Sequence, residues 1–297
     1  MEVVSASGVP LRGDIVTRVV MRTDLVPIPS TVEVTARKIP ESTEALRRGA
    51  VIMVGGKRIP YRVVVDGGST ETGMQQGGRE VAEISVTAVL DSCAALADPL
   101  QRSIFRERGS FADIYRSIGA TATVQSDIAV PRFGAVIGSS PTMAVMRVLQ
   151  EEAATVFLRD GKVLIRRLSD LVAEKAAITF PVDRTQRLES ELLARHAIPF
   201  VVSTDEANGV VSTKREAGRA VVYWPRADTR VLNNMGTSLL TTRKMQQALE
   251  VDINAGDRID VGGTPMVVVT AAHVFQAKTA DADGEEKTVL WLGELRK

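Results

Sequence analysis

The sequence predicts a β-rich α+β protein in which two strand-rich regions flank a small helix-and-hairpin region. Three observations carry this. Roughly the first and the last hundred residues are β-branched runs broken by glycine and proline. The middle holds helix-start signals and a tight hairpin. One octapeptide pattern occurs in both strand-rich regions.

In the N-terminal region the runs "DIVTRVVM", "TVEVTAR", "AVIMV", "YRVVV" and "EISVTAVL" read as strands. Pro27, Pro29, Gly55-Gly56, Gly67-Gly68 and Gly77-Gly78 punctuate them. The glycine-rich segment 65–80, "VDGGSTETGMQQGGRE", predicts a mobile loop between two strands.

After Pro99, "SFADIYRSIG" predicts a short helix. Ser110 is its N-cap, Asp113 stands at the capping-box position and Gly119 lies at its end. Ile114 and Ile118, four apart, share a face. In "SSPTMAVMRVLQEEAATVFLRDGKVLIRRL", Ser140 caps a second helix and Pro141 suits its first turn, where a missing N–H costs nothing. Arg147, Gln150 and Glu151 fall on one face; Met143, Met146, Leu149 and Ala153 lie elsewhere and can face a core. Asp160-Gly161 then predicts a two-residue turn with positive φ at both positions. That turn pairs Arg159 with Lys162, Leu158 with Val163, Phe157 with Leu164 and Val156 with Ile165. One face of the hairpin is wholly apolar and is expected to bury against the preceding helix. The other, with Phe157, Arg159, Lys162, Leu164 and Arg166, is mixed.

The C-terminal strands are "IPFVVST", "GVVST", "RAVVYWP", "DRIDV", "PMVVVTAAHVF" and "KTVLWLGEL", with "DADGEE" a polar hairpin tip. Here the repeat appears. "GAVIMVGG" (Gly49 to Gly56) matches "GDRIDVGG" (Gly256 to Gly263) at Gly49/Gly256, Ile52/Ile259, Val54/Val261, Gly55/Gly262 and Gly56/Gly263. Each copy is followed by a proline and then by three valines, and each fits strand, Gly-Gly turn, strand. The pattern predicts a duplicated β-unit, one copy at each end of the chain.

Composition excludes much. A net charge of +1, from 37 basic and 36 acidic residues, gives no argument for nucleic acid or a membrane surface. The N-terminus shows no basic start or long apolar run, and no segment approaches the ~20 apolar residues of a membrane span, so a soluble protein made in a cytoplasm is expected. Cys93 reads as a small buried hydrophobe, and a nucleophile there would need His196 or His273, the two histidines of the chain. His273 reads as a core or interface residue. "VGGKRIP" lacks the Walker glycine, having Val51 in its place, and has Arg58 where Ser or Thr is needed. "VIGSSPT" is no nucleophile elbow, because Pro141 stands where glycine is required. "DADGEE" lacks the later slots of a calcium loop, which Thr288 and Leu290 occupy. The adjacent pairs Glu151-Glu152 and Glu285-Glu286 point different ways and make no glycosidase pair. With aromatics at 4%, Trp224 and Trp291 read as packing residues. No catalytic, cofactor-binding or metal-ligating residue is expected, and no enzymatic activity.

The order "SFADIYRSIG", the Ser-Pro helix with its basic hairpin, "LESELLARHAIPF" and "INAGDRIDVGGTPMVVVTAAHVF" resembles the baseplate hub proteins of bacteriophage tails, including the hub part of the type VI secretion spike protein. The closing positions that carry it are Ala255, Gly256, Asp257, Val269, Thr270 and His273. The resemblance covers roughly Ser110 to the C-terminus. It implies two tube-like β-barrel domains, at 1–98 and 186–297, around a helix-and-hairpin region at 99–185. It implies a homotrimer whose barrels form a pseudo-sixfold ring. Such a ring joins a hexameric tail tube to a trimeric spike carried on a separate chain, beside other baseplate proteins. It implies a place in the virion tail after assembly in the host cytoplasm, with no cofactor, membrane or nucleic-acid contact. The competing readings are a tail-tip cell-wall hydrolase, which lytic activity would reveal, and a ligand-binding β-protein, which would not self-associate.

Overall fold

A computed structural model of the protein describes residues 1–76, 79–188, 200–204, 210–212, 220–225, 227–278 and 283–296. The N-terminal strands are β1 (Val3–Ser5), β2 (Val16–Asp24), β3 (Ser30–Arg37), β4 (Val51–Val54), β5 (Ile59–Gln76) and β6 (Arg79–Leu90), with a helical turn α1 (Pro40–Ala45) before β4. In space they run β1-β4-β5-β6-β3-β2. Alternation sets the inner face: Val32, Val34 and Ala36 of β3 are buried with Ile52, Val54, Tyr61 and Val63.

The glycine-rich segment is not a loop. β5 and β6 continue through it as paired strands, with Gln76 opposite Arg79, and Gly77-Gly78 lie outside the described residues. The glycines serve close approach and bulging instead. A Cβ on Gly67 would lie 2.7 Å from the Ser85 carbonyl oxygen, and Gly68, at φ 82°, donates its N–H to the Asp66 carboxylate at 2.9 Å.

The middle region contains β7 (Ile104–Ser110), α2 (Phe111–Ile118), β8 (Val124–Ser126), β9 (Ala129–Ala135), α3 (Pro141–Glu151), β10 (Ala154–Arg159), β11 (Lys162–Arg167) and α4 (Leu168–Ala173). The α2 caps are those expected: the Ser110 hydroxyl accepts from the Asp113 N–H, and Gly119 closes the helix at φ 106°. The Asp127 carboxylate adds bonds from the N–H groups of Phe111 and Ala112, which spacing did not show. Ser140 stands at the α3 N-cap, but its hydroxyl pairs with that of Thr142 at 2.7 Å rather than with a helix N–H. Val145, Val148 and Leu149 form the buried face; Met143, about 200° away from Val145 around the helix, is exposed.

The hairpin register is as predicted, from Ala154 opposite Arg167 to Arg159 opposite Lys162, with Asp160 at φ 50° and Gly161 at φ 73°. Val156, Leu158, Val163 and Ile165 pack on α3. The mixed face is buried as well: Phe157 and Leu164 meet Leu171 of α4 and Val267 of the C-terminal region. The hairpin is therefore a wedge that buries apolar side chains on both faces.

The C-terminal region contains β12 (Ile178–Phe180), β13 (Gln186–Arg187), β14 (Phe200–Thr204), β15 (Val210–Ser212), β16 (Val221–Tyr223), α5 (Thr229–Met235), β17 (Ser238–Ala248), β18 (Arg258–Val261), β19 (Thr264–Gln276) and β20 (Glu285–Arg296). β14, β15 and β16 form a small separate sheet. β17 has no apolar alternation, and its ladder to β20 sets its position. The others run β12-β18-β19-β20-β17-β13.

That order duplicates the N-terminal one. Taken in chain order, β1 to β6 correspond to β12, β13, β17, β18, β19 and β20, and each occupies the same place in its half of one twelve-stranded sheet. The halves join where β2 pairs with β19. Backbone detail repeats too. The Gly49 N–H donates to the Val63 carbonyl and the Val63 N–H to Ala50; Gly256 and Val268, and Val268 and Asp257, do the same. Gly49 and Gly256 have φ of 84° and 92°. A bulge falls between Val63 and Val65 of β5 and between Val268 and Thr270 of β19. The copies differ at the turn, which spans Gly55 to Arg58 in the first and only Gly262-Gly263 in the second, so the valine triplets align one residue out of step. They differ also in that β1 runs antiparallel to β4 and β12 parallel to β18.

The two turns should respond unequally to the same change. A Cβ on Gly55, at φ 74°, meets open space, whereas one on Gly262, at φ 56°, falls 2.2 Å from Cγ2 of Val182. Gly55→Val should cost about 1–2 kcal/mol from backbone strain alone. Gly262→Val should cost about 2–3 kcal/mol, because the Val182 side chain must also be displaced. Denaturant unfolding of the two variants measures the difference; equal losses would contradict it.

Candidate functional site

The side chains that pin the regions together form two clusters. The first lies at the C-terminal end of α3. Glu152 is almost wholly buried and receives Arg230 of α5 at 2.8 Å and Arg167 of β11 at 3.1 Å. Beside it the Glu151 carboxylate accepts from the Trp224 indole N–H at 3.0 Å, and its carbonyl accepts from Asn234 at 2.9 Å. Arg147 pairs with Glu151 at 3.6 Å and stacks on Trp224, 4.4 Å from the ring centre. The two glutamates thus face different partners, and both hold the β14–β16 unit and α5 against the middle region.

The second cluster consists of the closing positions singled out in the sequence. The Ala255 N–H donates to the buried Thr23 hydroxyl at 2.9 Å. Gly256 lies flat against the Phe157 ring: a Cβ there would be 2.6 Å from it. Asp257 accepts from Arg159 at 3.1 Å and from the Asn254 N–H at 2.8 Å. Burial pushes its carboxyl up, against the opposing pull of Asn254 and Arg159. Glu174 accepts from both Arg159 and Arg166. Val269 lies at the β19 bulge, the Thr270 hydroxyl donates to Asp24 at 2.6 Å, and Nδ1 of His273 shares a 3.0 Å hydrogen bond with the Thr288 hydroxyl. These residues fasten the hairpin wedge to the seam between the two half-sheets.

Residues weighed for chemistry lie apart. Cys93 is buried in the middle core, where burial pushes its thiol up to about 12. His273 is buried in the C-terminal sheet with Nε2 unpaired; burial holds its imidazole down at about 4, against the opposing pull of the Ile253 backbone and Asp252. His196 and most of "LESELLARHAIPF" lie outside the described residues, as does part of "DADGEE". Among the described residues no three His, Cys, Asp or Glu side chains gather as metal ligands. Trp224 and Trp291 pack as expected, Trp291 under Lys244. Lys57 of "VGGKRIP" holds no phosphate loop; it pairs with Asp160 at 3.1 Å and Asp252 at 3.8 Å, and its ammonium is raised chiefly by the Asp160 hydrogen bond. Glu285 pairs with Lys287 at 2.6 Å.

Two surface features had no sequence signal. Beneath Lys57, Asp160 and Asp252 opens a cavity of about 340 Å³ lined by Met21, Ile59, Tyr61, Leu158 and Val251. On the β7–β9 ribbon, Phe105 and Val136 border a groove that also touches Ala144 and Arg147 of α3. Linear pattern cannot reveal either, because each draws on segments far apart in the chain.

No protein-family profile matches the chain, and no curated protein sequence does. Solved structures do match. A tail protein from Neisseria meningitidis aligns over 99% of this chain and 95% of its own, at 12% identity and a TM-score of 0.66. The 43 kDa tail protein of prophage MuSo2 from Shewanella oneidensis aligns over 99% and 95%, at 11% identity and a TM-score of 0.60. An Escherichia coli component of the type VI secretion system, described as structurally similar to the tail proteins gp27 and gp5 of bacteriophage T4, aligns over 98% and 76%, at 11% identity and a TM-score of 0.55. Over nearly its whole length the chain therefore has the fold of phage tail proteins and of a type VI secretion component.

Proposed function

We propose that the chain is a structural hub of a phage-like tail, without enzymatic activity. The carrying observation is the duplicated six-strand unit, found in a chain whose fold is that of tail proteins. In this reading the half-sheets belong to two tube-like β-barrel domains, at 1–98 and 186–297, the second joined by β12 (Ile178–Phe180), with the rest of the 99–185 region between them. Three chains bring six such units into a ring. One side of the ring docks on a hexameric tail tube, and the other keeps threefold symmetry for a trimeric spike, next to other baseplate proteins. The protein then resides in the virion tail after assembly in the host cytoplasm. Cys93 and His273 are both buried and lie apart, which argues against a cell-wall hydrolase that uses that thiol–imidazole pair. Light scattering after size exclusion should give the mass of three chains at high concentration or with the spike present. A single-chain mass under both conditions would overturn the trimer.

A further inference from the structure

We propose that the cavity beneath Lys57, Asp160 and Asp252 is a binding site for a compact, uncharged apolar molecule about the size of two fused rings. The inference goes beyond the hub reading and does not depend on it.

Three parts of the chain build the site. Met21, Val54, Ile59 and Tyr61 come from the N-terminal half-sheet, Leu158 from the hairpin wedge and Val251 from the segment before β18. Met21, Val54, Tyr61 and Leu158 are buried and form a floor shielded from water, whereas Val251, 44% exposed, marks the mouth. An apolar cavity of about 150 Å³ is enough to hold one benzene ring. This one, at about 340 Å³, has room for two.

The polar groups decide the charge of the ligand. On the floor, the Tyr61 and Ser30 hydroxyls share a 2.8 Å hydrogen bond, and the Thr23 hydroxyl accepts from the Ala255 N–H at 2.9 Å. At the rim, Lys57 is held by Asp160 at 3.1 Å and Asp252 at 3.8 Å. The Asn254 side-chain amide donates to the Val251 carbonyl at 3.2 Å, and the Gly55 N–H to the Glu2 carbonyl at 3.0 Å. A charged ligand would have to break such pairs or lie unpaired on an apolar floor, and both are costly. An uncharged apolar ligand has only to displace water from apolar walls.

The duplicated unit supplies an internal comparison. In the second copy the turn is covered by the chain itself, since a Cβ on Gly262 falls 2.2 Å from Cγ2 of Val182. In the first copy Gly55 and Gly56 line the cavity, and a Cβ on either meets nothing within 4 Å. An apolar ligand beside Gly55 supplies the kind of contact that Val182 makes at the other turn.

Naphthalene is the probe, with the native protein. Equilibrium dialysis should show a single class of site with a dissociation constant on the order of 0.1 mM, as expected for about ten non-hydrogen atoms in an apolar pocket. With the methionine methyl groups isotopically labelled, the Met21 resonance should shift through the ring current of the bound molecule, and that of Met143, exposed on α3, should not. The charged analogue 1-naphthoate should bind about tenfold or more weakly. Val251→Trp, a change at an exposed position, should weaken naphthalene binding by about tenfold or more with an unchanged unfolding midpoint. No binding, binding that leaves Met21 unshifted, naphthoate binding as tight as naphthalene, or full binding by Val251→Trp would each overturn the proposal, and none of them bears on the hub reading.

Discussion

Phe157→Ala is expected to lower the unfolding free energy by about 3–5 kcal/mol, the cost of removing a fully enclosed aromatic ring. Phe157 is wholly buried between Leu164, Leu171 and Val267, and its ring also presses on Gly256. It is the point where the middle region meets the C-terminal half-sheet, so the cavity left behind opens a seam rather than a local pocket. The partner residue gives an internal check. Gly256→Ala should be costly for two reasons: φ at 92° strains any residue with a Cβ, and the new methyl would overlap the ring. In a Phe157→Ala background the overlap with the ring disappears, leaving the backbone strain and a tight 3.1 Å approach to the Cβ of residue 157. The double variant should therefore be less damaged than the sum of the singles, by about 1 kcal/mol or more. Chemical denaturation of the four proteins measures this, and strict additivity would contradict the contact.

Acid is expected to weaken the fold through His273. Its imidazole is held at about 4 by burial, below the ordinary 6.5, so the folded chain keeps it neutral where the unfolded chain accepts a proton. The contribution is fully present above pH ~6.5, falls as the pH drops toward ~4 and is flat below that, a span of about 3 kcal/mol. Carboxylates titrate in the same range, so the measurement is a comparison. The stability of the native protein relative to His273→Asn should shift by up to ~3 kcal/mol against the native protein between pH 7 and pH 4. Asn can still bond to Thr288 but cannot take up the proton. Parallel pH profiles for the two proteins would contradict the assignment.

What was readable in the sequence was what depends on near neighbours. The Ser110–Asp113 capping box, the Asp160-Gly161 turn and its register are decided within a few residues, and the structure has them all. The duplicated unit was readable because backbone need leaves a trace: Gly49 and Gly256 both require positive φ at equivalent hydrogen-bonded positions. Errors arose where long-range pairing decides. Segment 65–80 has loop composition, yet the opposing strand gives its backbone a partner. β17 is largely polar and is placed by its ladder with β20. The cover of the hairpin's mixed face was not readable, because nothing near it in sequence announces Val267. The Glu152 clamp escaped for the same reason, since its two arginines come from β11 and α5.

The most direct measurement of the central claim is an electron-microscopic image of the purified protein viewed down its symmetry axis. The account predicts a closed ring of three chains with six similar densities around it, sixfold in outline on the face toward the tube and threefold on the other. A particle with no ring, or a ring in which the two half-sheets of each chain occupy unlike radial positions, would contradict it.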